Sequence, residues 1–265
     1  MILRSLADTW SGQRAVCPAH RDAGSDDPRA PLHSERTQIH PKRATELLKE
    51  IVKNNLHKRI GMVQATVNIA ENPELLKALR EANILGLCLG IESISDSTLK
   101  DIGKPYSAEQ NIKAVKKLKE LGFWIHGMLM PGGDGDTSQT LKETSKWVNK
   151  NLDSIQFFPI SPNPGTRFYE RMEKEKRILS HDFSIYDGNH VLIKPKNFTP
   201  YELQKMVNKM FKKFYNFKNS IRRLIKSPEK KLSFFAFSYN KLHGIKNMLY
   251  DPESKQHLKF LKSLS

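Results

Sequence analysis

Four apolar runs separated by amphipathic stretches constrain this chain most: "RIGMVQATVNIA" (59–70), "ILGLCLGIES" (84–93), "FWIHGMLM" (123–130) and "LDSIQFFPISP" (152–162). The second is apolar almost without a break, as a strand buried on both faces requires. The intervening stretches carry helix signals. In "NPELLKALREAN", Asn72 is placed to cap and Pro73 to take the first helical position. Ser107 and Gln110 have the spacing of a capping box, and Gly122 ends that helix. "TSQTLKETSKWVNKN" forms the next helix, and upstream Ala44, Leu47, Leu48, Ile51, Val52 and Leu56 keep a helical period. Strands recurring roughly every 30 residues with helices between them predict parallel βα units with right-handed crossovers.

The flanks differ. Residues 1–36 mix Arg, Asp, Ser and Pro without a period, the composition of a segment that buries little and stays disordered. After an irregular stretch, "SHDFSIYDGNHVLIKPKN", Thr199, Pro200 and Glu202 open a helix with the stripe Leu203, Met206, Val207, Met210, Phe211 and Phe214. The organisation expected is an N-terminal segment (1–36), a βα region (37–168), an irregular region (169–199) and a basic helical region (200–265).

Charge is unevenly placed. The net charge is +16, and residues 191–265 hold 17 basic and 4 acidic side chains. Aromatics alternate with lysines in "FKKFYNFKNSIRRLIK" and "KKLSFFAFSYNKLH", a pattern compatible with RNA or an anionic membrane surface. Because the aromatics repeat at helical spacing, a packed helical cap with a solvated basic face is the favoured expectation. Two cysteines, Cys17 and Cys88, exclude a disulfide framework. With no apolar stretch resembling a signal peptide or a membrane span of about 18 residues, a soluble cytoplasmic protein is expected.

Ligands of parallel βα folds bind at the C-terminal ends of the strands. There Glu92 and Ser93 offer a carboxylate and a hydroxyl, with a turn-capping role for Glu92 equally open. "GMLMPGGDGDT" (127–137) offers glycines for close approach, Asp134 as an acceptor, and Asp136 or Thr137 as a helix cap. It fits neither a Rossmann nor a Walker pattern. Gln156 is placed to face a lumen. Cys17 and His20 have no second ligand pair at zinc spacing, and His126 and His190 stand alone, so no metal is assigned.

Over residues 41–265 the order of "NPELLKALREANILGLCLGIESISDSTLKDIGK", "LKELGFWIHGMLMPGGDGDT", "LDSIQFFPISPNPGTRFYE" and "DFSIYDGNHVLIKPKNFTPYELQ" resembles the C-terminal part of radical S-adenosylmethionine (SAM) enzymes of the type with an upstream cobalamin-binding domain. The resemblance implies an α/β fold, an incomplete parallel (β/α) TIM-like barrel with a basic helical tail. It implies a parent reaction in which a 4Fe–4S cluster cleaves SAM reductively for radical-based modification or methylation. It places Glu92, Ser93, Gly127, Gly132, Gly133, Asp134 and Asp136 toward SAM, and Gln156, Tyr186, Asp187 and His190 on the substrate side.

The sequence departs from that family in having no C-x-x-x-C-x-x-C segment. The expectation is therefore a truncated chain, inactive alone, with weak SAM binding at most. Two rivals stand beside it. One is a split enzyme whose cluster strands come from a separate chain; the other is a non-catalytic module binding through its basic tail. An open edge on the first strand is expected to favour self-association.

Overall fold

A computed structural model of the chain describes residues 41–57, 60–239 and 252–264. The expectations for 1–36, Cys17 and His20 among them, lie outside the described residues. Helix α1 (Pro41–Lys53) leads into β1 (Gly61–Thr66), a 3-10 turn (Val67–Glu71) and α2 (Pro73–Glu81). Strand β2 (Ile84–Glu92) is followed by a short α3 (Asp96–Asp101) and by α4 (Ala108–Glu120). Strand β3 (Trp124–Leu129) precedes α5 (Ser138–Asn151), and β4 (Ser154–Phe157) precedes α6 (Arg167–Lys174). The C-terminal region is helical: α7 (Pro200–Phe214), α8 (Phe217–Lys226), α9 (Lys230–Tyr239) and α10 (Pro252–Ser263).

The helices start where the sequence supplies caps. Asn72 accepts from the Leu75 N–H, and Ser107–Gln110, Thr137–Thr140 and Thr199–Glu202 each close a capping box. Thr137, rather than Asp136, thus caps α5.

The four strands form one parallel sheet in the order β1-β2-β3-β4, an α/β architecture in which each strand lies beside its predecessor, as in a partial barrel. The register sorts side chains by face. Leu87, Leu89, Ile125, Leu129, Ile155 and Phe157 lie on one side and, with helix residues such as Leu76, Leu118, Val148 and Phe211, make the main core. The other side carries Gln64, Thr66, Cys88, Gly90, His126, Met128, Ser154 and Gln156. This second face is closed at the strand starts. Trp124 Nε1 donates to Ser233 of α9 at 2.9 Å, and His126 Nδ1 meets Ser154 Oγ at 3.0 Å. Toward the strand ends, Thr66, Gly90, Met128 and Gln156 stay half-buried.

Among the described residues, β1 has a strand neighbour on one side only. The edge of β4 is covered differently. Tyr215, at the C-terminus of α7, accepts from the Ile155 N–H at 3.0 Å and donates to the Ile155 carbonyl at 2.7 Å, as a further strand would.

Three expectations need correction. Leu47 and Leu56 extend the helical period of α1 but are exposed, at 57% and 71%; the buried positions of that helix are Thr45 and Leu48. The strand read over 59–70 ends at Thr66 and continues as a 3-10 turn. The C-terminal aromatics are only partly packed: α7 buries Leu203, Val207, Met210, Phe211 and Phe214, whereas Phe217, Phe234 and Phe235 of α8 and α9 are exposed.

Candidate functional site

The C-terminal ends of β2 and β3 meet at Glu92. Its backbone has φ +60°, a left-handed conformation that a residue with a Cβ rarely adopts, and its carbonyl accepts from the Met130 N–H at 2.8 Å. The pairing of β2 with β3 shifts register between Gly90 and Glu92, which turns the Glu92 side chain off the regular alternation. Its carboxylate accepts from Lys104 Nζ at 3.0 Å. Burial disfavours the Lys104 ammonium, but Glu92, with help from Tyr106, outweighs it and holds its pKa above the usual lysine value. Tyr106 in turn donates to the Gly90 carbonyl at 3.2 Å. The strand end is therefore a polar cluster of Glu92, Lys104 and Tyr106 beside the bare backbone of Gly90, where an added Cβ would meet only the Glu92 carboxylate. Lys104 and Tyr106 carried no sequence signal beyond following α3.

Ser93 is buried, and its hydroxyl accepts from the Ser95 N–H at 3.1 Å, so it shapes the turn into α3.

The glycines of "GMLMPGGDGDT" are approached closely by the chain itself. A Cβ on Gly127 would lie 2.4 Å from Leu152 Cδ1, and one on Gly132 (φ +106°) would lie 2.8 Å from Leu203 Cδ2. One on Gly133 would meet Asp101 and Thr98, and one on Gly135 would lie 2.6 Å from the backbone of Ser97 and Thr98. The loop is packed between α3 and α7.

Its aspartates are spent on the same packing. Asp136 is buried and accepts from Thr98 Oγ1 at 2.7 Å and the Gly132 N–H at 2.8 Å; burial raises its pKa despite these bonds. Asp134 receives a two-pronged contact from Arg177 and a 3.0 Å contact from Lys196 Nζ. Burial alone would raise the Asp134 pKa; the bonds from Arg177 and Lys196 outweigh it and lower it. Asn197 Nδ2 donates to the carbonyls of both Asp134 and Asp136, at 3.0 and 2.8 Å. The segment 177–197 thus straps the loop down. Arg177, Lys196 and Asn197 were not singled out by sequence, because their partners are some 40 to 60 residues away in the chain.

On the side implied for substrate, Gln156 lies on the half-open sheet face beside Met128. The turn holding Tyr186, Asp187 and His190 packs near the end of β4, since a Cβ on Gly188 would lie 2.8 Å from Phe158. Tyr186 donates to the Ser180 carbonyl at 2.7 Å. His190 points inward from this turn. It is buried, its Nδ1 lies 2.9 Å from Asp187 Oδ1, and its ring meets His257 of α10 edge to face. Its Nε2 has no protein partner and belongs to a residue lining a cavity of about 10 Å³ with Gln204, Asn208 and Ser254, room for one water.

The cluster implied by the resemblance does not fit the described residues. It needs three thiolates. Cys88 sits mid-strand between Leu87 and Leu89 with its thiol pushed up to about 11 by burial, the opposite of a thiolate ligand. Among the described residues no three His, Cys, Asp or Glu side chains converge.

Comparison with known proteins finds relatives that share part of this chain. The bacteriochlorophyllide d C-8(2)-methyltransferase of Chlorobaculum tepidum is 28% identical over 181 residues, 67% of this chain and 40% of that protein. An uncharacterized methyltransferase of Pyrococcus horikoshii is 31% identical over 145 residues, 54% of this chain and 32% of the relative. The anaerobic magnesium-protoporphyrin IX monomethyl ester cyclase of Rubrivivax gelatinosus is 25% identical over 185 residues, 69% of this chain and 33% of the relative. The chain thus spans less than half the length of each of these three. The family profile described as Radical SAM superfamily matches residues 34–148, which run from ahead of α1 through most of α5.

Proposed function

We propose that this chain carries the SAM-facing strand ends of a radical SAM unit of the methyltransferase and cyclase kind, and does not by itself cleave SAM. The observation that carries this reading is Glu92: a non-glycine residue in the left-handed region, at the end of β2, with its carboxylate held by Lys104 beside bare Gly90 backbone. Backbone strain kept at a strand end is characteristic of ligand sites. Glu92 with Lys104 offers paired charges for the α-amino and α-carboxylate groups of a methionine moiety, and Gln156 lines the same half-open face. Three of the relatives named above are a methyltransferase acting on a bacteriochlorophyllide, an unassigned methyltransferase and a porphyrin-ester cyclase, which supports a radical-based modification or methylation as the parent chemistry.

The cluster thiolates required for that chemistry have no set among the described residues, so none of its steps is assigned to this chain. Equilibrium dialysis with labelled SAM tests the reading. Weak binding that Glu92→Gln and Lys104→Met each reduce about tenfold is expected, a loss of about 1.4 kcal/mol. Binding unchanged in both variants contradicts it.

A second reading is favoured by β1, which among the described residues has one free side while Gln64 and Thr66 on its polar face remain accessible. A separate chain contributing the cluster strands would pair there. Co-expression with a cysteine-bearing radical SAM partner, followed by pull-down, tests it; a Met62→Pro change in β1 should abolish capture.

A further inference from the structure

Helices α8 and α9 form a hairpin whose outer surface is both apolar and cationic. Ile225 is 68% exposed, Phe217 and Phe234 are each 62% exposed, and Phe235 is 43% exposed. Large apolar side chains of adjacent helices left in water mark an interaction surface rather than a core. In α8, Phe217, Ile221 and Ile225 recur at intervals of four, with Lys218 and Lys226 one position further round. In α9, Lys230 and Lys231 precede Phe234 and Phe235 by one helical turn. From residue 205 to 231 there are ten Lys or Arg and one acidic residue, Glu229.

We propose that this hairpin docks on an anionic lipid bilayer, Phe234, Phe235 and Ile225 entering the acyl boundary and its lysines meeting the headgroups. This goes beyond the reading of the strand ends and does not depend on it. An amphipathic surface of Phe and Ile bordered by Lys is what a bilayer interface selects, and an anionic leaflet is the partner whose charge complements it.

Two other occupants fit less well. A second copy would bring the same positive surface against this one. RNA is read through bidentate arginines and stacked bases, but both arginines here already donate to backbone carbonyls of the chain. Arg223 is buried, its guanidinium carbon 3.6 Å from the Phe214 ring centroid, and donates to the Phe214 carbonyl at 2.6 Å. Arg222 donates to the Asn149 carbonyl at 2.8 Å. Lysines, as point charges, remain to face a diffuse anionic surface.

Co-sedimentation of the full chain with phosphatidylcholine vesicles, with and without phosphatidylserine, tests the proposal, with single-stranded RNA as a separate arm. The bound fraction should rise about tenfold when phosphatidylserine is included. The double variant Phe234→Ser/Phe235→Ser should lose that gain, and Ile225→Glu should lose it independently. Since these side chains are exposed, both variants should keep the wild-type circular dichroism and melting temperature. No gain with phosphatidylserine, equal binding by the folded variants, tighter binding to RNA than to vesicles, or a dimer in which the exposed phenylalanines are protected would each overturn it.

Discussion

The rings of His190 and His257 meet edge to face with centroids 4.4 Å apart, pinning α10 against the turn that precedes Val191. His257 Nε2 lies 3.1 Å from the Val191 carbonyl, and Asp187 holds His190 from the other side at 2.9 Å. Burial first and the neighbouring His190 second push the His257 pKa down to about 4. Because the folded value lies below the unfolded value of about 6.5, the unfolded state binds more protons between them. The contribution is whole above pH about 6.5 and falls away as pH drops toward 4. Each unit inside that window costs up to about 1.4 kcal/mol. Burial pushes His126 of β3 down to about 4 as well, so substitution isolates the pair: hydrogen exchange should show residues 252–263 losing protection on acidification, and His257→Gln should weaken that pH dependence. An α10 pH dependence unchanged in His257→Gln would count against this account.

Arg177 and Lys196 both contact Asp134, but they differ in burial: the Arg177 side chain is 11% exposed and that of Lys196 is 59% exposed. Arg177→Met leaves a shielded carboxylate without its main partner and should cost about 3 kcal/mol. Lys196→Met should cost less than about 1 kcal/mol. Urea titration distinguishes them, and equal costs would mean the strap over the "GGDGDT" loop is not held by Arg177.

Gly135 has no room for a methyl group because the obstructing atoms are Ser97 and Thr98 backbone at 2.6 Å. Gly135→Ala should displace α3 and cost about 2 kcal/mol. Gly90→Ala, whose Cβ would face only the Glu92 carboxylate, should cost about 1 kcal/mol or less. Melting of the two variants should differ accordingly; a neutral Gly135→Ala would mean that the loop is looser than its contacts imply.

Tyr215→Phe removes the hydroxyl that serves the Ile155 N–H and carbonyl on the free side of β4. An unsatisfied edge amide should cost about 1–3 kcal/mol, and exchange of the Ile155 amide should accelerate while that of Ile125 stays protected. Unchanged Ile155 exchange would show that another group covers the edge.

Much of this was legible before the structure. The order of strands and helices followed from the apolar runs and the caps at Asn72, Ser107, Thr137 and Thr199, because these signals are local. Less of the site was legible. The glycines of "GGDGDT" mark close approach, but sequence cannot say whether Ser97, Thr98 and Leu203 or a ligand does the approaching. Arg177, Asn197 and Tyr215 act on partners distant in the chain, so no spacing rule exposes them. His190 looked like a loop residue near substrate; its burial depends on α10, about sixty residues further on. The exposed aromatics of α8 and α9 show the opposite failure, since helical spacing indicates a stripe but not what covers it.

The most direct test of the account is anaerobic reconstitution of the purified chain with iron and sulfide, followed by dithionite and SAM, with 5′-deoxyadenosine measured by mass spectrometry. The account predicts no 4Fe–4S spectrum and no 5′-deoxyadenosine, because Cys88 is a half-buried thiol with its pKa pushed up to about 11 and no three ligating side chains converge among the described residues. A reconstituted cluster that turns over SAM would contradict it.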